Sequence, residues 1–369
     1  MWIKTALGVL TPAIVWAASW PASVGVYHWG GQPQRAVSQG VQQITDLGGR
    51  AARIVLSPLY SADYGSGGCY ANFSLTTIAQ DPDVKRALDN PNVDVFMLTA
   101  YDGVSFSDCI HHNYLSPSFY TPANTAAVIQ EYSDFTLYLY RVCQHSHKRF
   151  IISNWESDND VYCGNAYGYA TNPVAREACN AEYPSRYVGN ASPEESLKGL
   201  KMWFDARELG IIDGRNRAAA QGLGGMRVFH APEVSMVHAL HDAGFHSVLY
   251  DVAPGVIFDY ISYSAYESID QAEPDTALVA DLNIIQDVVG SSSIIVGEVG
   301  FSRSVWGADE AVSRTDRVVR AAVSWGVSYV FLWNLYDQDQ VNTFGMVDAS
   351  GELTPLGFLY SGPPATTLH

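Results

Sequence analysis

Two glutamates in this chain stand where a buried strand runs out. Phe150-Ile151-Ile152-Ser153 leads into Asn154-Trp155-Glu156, and Ile294-Ile295-Val296 leads into Gly297-Glu298-Val299-Gly300. A carboxylate at the end of a buried strand is costly unless it is paired or put to use. Two of them, delivered by separate strands to one face, fit two-carboxylate chemistry at a glycosidic bond. One carboxyl protonates the departing oxygen, and the other attacks the anomeric carbon or activates water.

The elements that must deliver these groups alternate along the chain. Strand-like runs occupy 23–29, 51–56, 93–100, 149–154, 226–230, 259–264, 293–297 and 327–332. Between them lie runs with helical spacing at 33–47, 76–88, 123–146, 192–209 with a further stretch to about 220, 234–242, 275–289 and 309–325. Residues 246–251 are apolar enough for a small extra strand or turn. Strand-helix alternation implies parallel βαβ units, and eight of them in a chain of 369 residues predict an α/β fold, a single (β/α)8 barrel. Long loops are expected after strands two, three and four. No Gly-rich phosphate loop follows any strand, which argues against a doubly wound nucleotide-binding sheet.

In such a barrel the C-terminal strand ends share one pocket. They bring together Trp29, Arg53, Asp102, Asn154, Glu156, Glu233, Tyr266, Glu298 and Trp333. No His pair with metal-ligand spacing is among them, since His28, His111, His112 and His230 are scattered, so no metal and no cofactor is expected. Asp158 and Asp160 follow Glu156 without the spacing of an EF-hand. Asp102 suits a substrate hydroxyl, and Trp155 suits either packing under its loop or stacking on a sugar.

The pattern resembles the clan A glycoside hydrolases, retaining barrel enzymes with an acid/base glutamate after strand four and a nucleophile glutamate after strand seven. Glu156 and Glu298 match those positions. The resemblance implies that Arg53 lies beside the nucleophile, that Tyr266 hydrogen-bonds it and that Trp333 floors the sugar site. Gly345-Met346-Val347-Asp348-Ala349-Ser350-Gly351 resembles the clan's closing turn. One departure is Trp155, which intervenes where the clan has Asn directly before the acid/base Glu. Strand alternation nevertheless predicts Asn154 and Glu156 on one side. Glu233 is expected to bind substrate or to exchange roles with Glu156. On this reading Glu156 is protonated at rest, raised by burial and by Glu298, and Glu298 is ionised, favoured by Arg53 and the Tyr266 hydroxyl. The implied activity is retaining hydrolysis of a β-glycosidic bond in an oligo- or polysaccharide. A non-catalytic carbohydrate-binding barrel and a transglycosylase are the alternatives.

Composition bounds the partners. The formal net charge is −17, which argues against nucleic acid and anionic membrane surfaces. Residues 1–22 carry one lysine, an apolar run and small residues, as in a secretory signal, although a native N-terminal segment is the other reading. The barrel domain is expected over 23–369. The run, broken by Pro12, is short for a membrane span. Five cysteines fit a secreted or periplasmic protein with Cys69–Cys109 and Cys163–Cys179 disulfides and a buried free Cys143.

Overall fold

The computed structural model describes residues 20, 22–30, 35–64, 68–70, 72–106, 113–187 and 192–362. Each of the eight strand-like runs forms a strand, and a short ninth, β6, follows the fifth: β1 (Val24–Tyr27), β2 (Ala51–Leu56), β3 (Val95–Ala100), β4 (Arg149–Ser153), β5 (Arg227–His230), β6 (Glu233–Val234), β7 (Ile261–Ser264), β8 (Ile294–Val299) and β9 (Val330–Leu332). They pair in parallel in the order β5-β4-β3-β2-β1-β9-β8-β7-β6. The two ends of that order are consecutive pieces of one run of chain. Pro232 separates them because it has no N–H to give a ladder. The Ala231 N–H still donates to Ile152 O at 2.9 Å, and the Ser262 N–H donates to Pro232 O at 2.8 Å. The run therefore passes from one neighbour to the other and closes the expected (β/α)8 barrel, with β5 and β6 as its divided fifth strand.

Alternation along each strand sorts the residues into layers. On β2, Ala52, Ile54 and Leu56 face outward into the core beneath the helices, with Phe96, Leu98, Ile152 and Val228. Ala51 faces inward with Val95, Met97, Ile151, Ala231, Ile295 and Phe331, and these plug the barrel. Gly25 belongs to this plug because a Cβ there would lie 2.7 Å from the Phe331 ring and 2.8 Å from Ala51 Cβ. Arg53, one step further along β2, forms a polar layer above the plug, and Val55 beyond it reaches the cavity at the C-terminal end.

Several connections differ from expectation. The 76–88 run is two helices, Leu75–Gln80 and Pro82–Leu88, because the Asp81 side chain caps the second at Asp83 N–H and Pro82 occupies its first position. Residues 192–220 form one helix, Pro193–Ala220. The expected helix at 234–242 shrinks to Ala239–Asp242, and of the strand or turn expected at 246–251 the structure has the turn, a helical one at Val248–Val252. The long segment after β4 is helical: Ser157–Val161, Ala166–Thr171 and Pro173–Arg186. Among the described residues no helix is long and apolar enough to cross a membrane. The expected leader lies outside the described residues except for Trp20 and Ala22. Trp20 is buried, donates from Nε1 to Asp316 Oδ1 at 3.1 Å and meets Tyr360 edge-on at 5.8 Å.

Cys163 and Cys179 are joined by a disulfide, and Cys143 is a buried thiol whose pKa burial pushes up to about 11. Cys69 is also disulfide-bonded, while Cys109, His111 and His112 lie outside the described residues. The Cys163–Cys179 bond spans 16 residues of sequence. Replacing both cysteines by serine is expected to cost about 3 kcal/mol through the freed unfolded chain, read as a lower midpoint in chemical unfolding.

Candidate active site

The floor of the site is an ion pair inside the barrel. Arg53 and Glu233 are both fully buried. The guanidinium grips the carboxylate with two parallel bonds, NH1 to Oε2 at 2.8 Å and NH2 to Oε1 at 2.9 Å. Its remaining donors reach Gly297 O at 2.8 Å, Asn154 O at 3.1 Å and, from Nε, Thr99 Oγ1 at 3.0 Å. The Glu233 carboxylate also accepts from Ser262 Oγ at 2.7 Å and from the Glu156 N–H at 3.1 Å. Arg53 thereby ties the ends of β3, β4, β6 and β8 together. Gly297 allows β8 to pass this close, since a Cβ there would lie 2.3 Å from Glu233 Oε2.

Above the floor opens a cavity of about 590 Å³. Glu156 and Glu298 both line it, almost entirely buried. Glu156 Oε1 accepts from Ser264 Oγ at 2.6 Å, and Oε2 accepts from the Asn159 amide. The Tyr266 hydroxyl is directed at Glu298. Glu298 Oε2 accepts no hydrogen bond within the protein, and the nearest Arg53 nitrogen is 3.8 Å away. Burial pushes the Glu156 carboxyl up to about 7, against the pull of its Ser264 hydrogen bond and with a further push from the Glu233 charge. Glu298 is pushed well above the usual carboxylate range, first by burial and then by Glu156, with Arg53 and Tyr266 opposing. The expectation of a Glu298 held ionised by an adjacent arginine thus meets a different arrangement, because Arg53 is committed to Glu233.

Aromatic rings make most of the walls. Trp29 and Trp333 lie 5.6 Å apart, and Tyr27 packs edge-on to Trp333 at 4.9 Å with the Arg53 guanidinium 4.4 Å from its other side. Tyr101, Phe106 and Tyr114 form a second ring cluster in the lining, and Trp155, whose N–H donates to the Tyr101 hydroxyl at 3.1 Å, lines the cavity too. Asp63 takes the Trp29 Nε1–H at 3.0 Å, and burial pushes its pKa up to about 6. Asp160 faces the same cavity beside the Tyr101 hydroxyl, 3.3 Å away, and burial pushes it up to about 8.

Of the nine residues singled out from sequence, Trp29, Glu156, Tyr266, Glu298 and Trp333 meet in this cavity, and Arg53, Asp102, Asn154 and Glu233 lie behind its walls. Asp102 is saturated by the Ser105 N–H, the Ser105 hydroxyl and Trp203 Nε1, all at 2.7–2.8 Å. Asn154 turns away from the cavity, toward the helix Pro193–Ala220 on the side of Phe150 and Ile152. It does not share a face with Glu156, because β4 ends at Ser153 and the chain leaves the pleat before Glu156. Its Oδ1 accepts from Arg207 at 3.0 Å, and its Nδ2 donates to Ser157 Oγ at 2.7 Å and Trp155 O at 3.1 Å. Glu233, with both oxygens held by Arg53, is an anchor and not a cavity group. Asp158 accepts the N–H groups of Ser235, Met236 and Val248. Among the described residues no group of three or more His, Cys, Asp and Glu side chains is placed to hold a metal ion.

Sequence reasoning missed Asp63, Asn159, Ser264 and Arg207. Ser264 was within reach as the last residue of its strand, whereas Asp63 and Asn159 stand in segments with no period to read.

No known protein family matches the chain, and no curated protein does so. Solved structures match in fold. The AHE enzyme from Alicyclobacillus herbarius superposes with a TM-score of 0.57 at 12% identity, over 93% of this chain and 97% of that one. A GH5_18 variant from Streptomyces cattleya, in complex with Manb1-4GlcNAc, gives 0.54 at 11% identity, over 91% and 79%. A beta-glucosidase designated 1317 gives 0.52 at 14% identity, over 89% and 88%.

Removing one partner of the buried ion pair leaves an uncompensated charge. Glu233→Ala is expected to lower unfolding free energy by about 3–5 kcal/mol, and pairing it with Arg53→Met is expected to recover much of that loss in a double-mutant cycle.

Proposed function

We propose that this protein is a retaining glycoside hydrolase that cleaves a β-glycosidic bond in an oligo- or polysaccharide. The observation that carries the reading is Glu298 Oε2, a buried carboxylate oxygen that accepts no hydrogen bond from the protein, in the same aromatic-walled cavity as a second buried carboxyl, Glu156. Similarity of fold to enzymes of this chemistry supports it, including one in complex with Manb1-4GlcNAc.

Glu298 Oε2 attacks the anomeric carbon. As that bond forms, the bond to the leaving oxygen breaks, and the Glu156 proton passes to that oxygen. The product is a glycosyl ester on Glu298. Water then attacks the same carbon, its proton goes to Glu156, and Glu298 departs as a carboxylate. The cycle starts with one proton on the pair, since the Glu156 charge pushes the buried Glu298 up and disfavours ionisation of both. Attack proceeds from the form in which Glu156 holds that proton and Glu298 is the carboxylate. The Trp29 and Trp333 faces suit the apolar face of a sugar ring, and Asp63 suits its hydroxyls. Arg53, through Glu233, fixes the strand ends from which both acids project. The disulfide after β4 fits an oxidising compartment, outside the cell or in a periplasm.

Glu156→Ala and Glu298→Ala are each expected to lose at least about a hundredfold in kcat on aryl β-glycosides. Added azide separates the roles: a β-glycosyl azide from Glu156→Ala and an α-glycosyl azide from Glu298→Ala. Wild-type rates in both variants would refute the assignment. The acid role also sets a pH limb. Activity falls as pH rises past about 7, where Glu156 gives up its proton. Ser264→Ala removes a bond that favours the carboxylate, so the limb in kcat/KM is expected to move up by roughly one pH unit.

A further inference from the structure

The cavity has an extension on the Glu156 side. Tyr167, 54% exposed, lines both the cavity and a second hollow of about 670 Å³. That hollow also presents Thr171, His238, Asp242 and Gln271. His238 is held by Asp281 at 2.8 Å, which itself takes the Tyr263 hydroxyl at 2.6 Å, so a ring that is 44% exposed is nonetheless fixed. Asp242, Gln271 and Thr171 are exposed. Neither hollow is lined by lysine or arginine among the described residues.

The position of Tyr167 is built rather than incidental. Asn159 donates one end of its amide to Glu156 and accepts the Ala166 N–H at 2.8 Å with the other. The Asn165 side chain caps the same turn at the Gly168 N–H, and the Cys163–Cys179 disulfide closes the segment. One amide thus sets the separation between the proton donor and the Tyr167 ring.

We propose that the leaving-group side of the cleft runs past Tyr167 into the second hollow, so that the enzyme takes a neutral β-linked chain with at least two rings beyond the scissile bond. The proposal rests on the glycosidase reading, since the leaving group lies on the side of the acid that protonates it. An exposed tyrosine face receives the apolar face of a pyranose ring. The carboxylate, amide, hydroxyl and imidazole beyond it bond the hydroxyls of the next ring. With no cationic side chain in either hollow, an anionic sugar finds no counter-charge there.

The test uses β-1,4-mannopentaose and β-1,4-glucopentaose labelled with oxygen-18 at the reducing end, and the cleavage pattern is read by mass spectrometry. Wild type is expected to release labelled fragments of two or more rings. Tyr167→Ala and Asp242→Ala are expected to move cleavage toward the reducing end, lowering the ratio of two-ring to one-ring labelled fragments about tenfold, the effect of roughly 1.4 kcal/mol. Release of single rings alone by wild type, or an unchanged pattern in both variants, overturns the proposal while aryl-glycoside hydrolysis leaves the glycosidase reading standing. Failure to cleave either chain by protein that hydrolyses aryl glycosides also overturns it. Insensitivity of all turnover to Glu156→Ala and Glu298→Ala removes the glycosidase reading, and the proposal with it.

Discussion

The bidentate pair of Arg53 and Glu233 is the constraint on which the upper half of this barrel depends. Two full charges lie inside a closed sheet, and each is tolerated only because the other, with a ring of carbonyls and hydroxyls, satisfies it. The same contacts fix the ends of the strands that carry the two cavity acids. Glu233 even accepts the backbone N–H of Glu156, so the anchor touches the candidate proton donor directly. A buried pair of this kind contributes definition more than stability.

With that arginine committed below, the two cavity carboxyls are left in a mostly apolar, aromatic enclosure. Burial acts on both in the same direction, and their mutual repulsion makes full ionisation costly. Differences between them come from small polar contacts: a serine and an asparagine on Glu156, a tyrosine on Glu298. Two chemically identical side chains thus stand in different surroundings through hydroxyls and one amide, beside the charges of Arg53 and Glu233 that act on both.

The barrel was legible because its strands are short apolar runs and its helices carry a regular period. Glu156 and Glu298 were legible because a charged residue breaks such a run. What alternation could not reveal is which polar residues at a strand end face the cavity and which turn under it. Asn154 falls one residue past the end of β4, where the chain leaves the pleat, and Glu233 falls after a proline that shifts the ladder from one neighbour to the next. Both look like cavity residues in one dimension. Asp63 and Asn159 come from connections, and only the packed structure brings them to the site.

The first strand of the sheet lies beside the last. β1 is paired on one side by β2 and on the other by β9, Tyr360 donates its hydroxyl to Val24 O at 3.1 Å, and Trp20 rests on Tyr360. During synthesis, β1 emerges hundreds of residues before its second neighbour. Until β9 and the helix Pro355–Ser361 leave the ribosome, the β1 edge of the nascent sheet is open. The barrel therefore cannot close until both are made, and a chain truncated before Pro355–Ser361 lacks the contacts that cover β1.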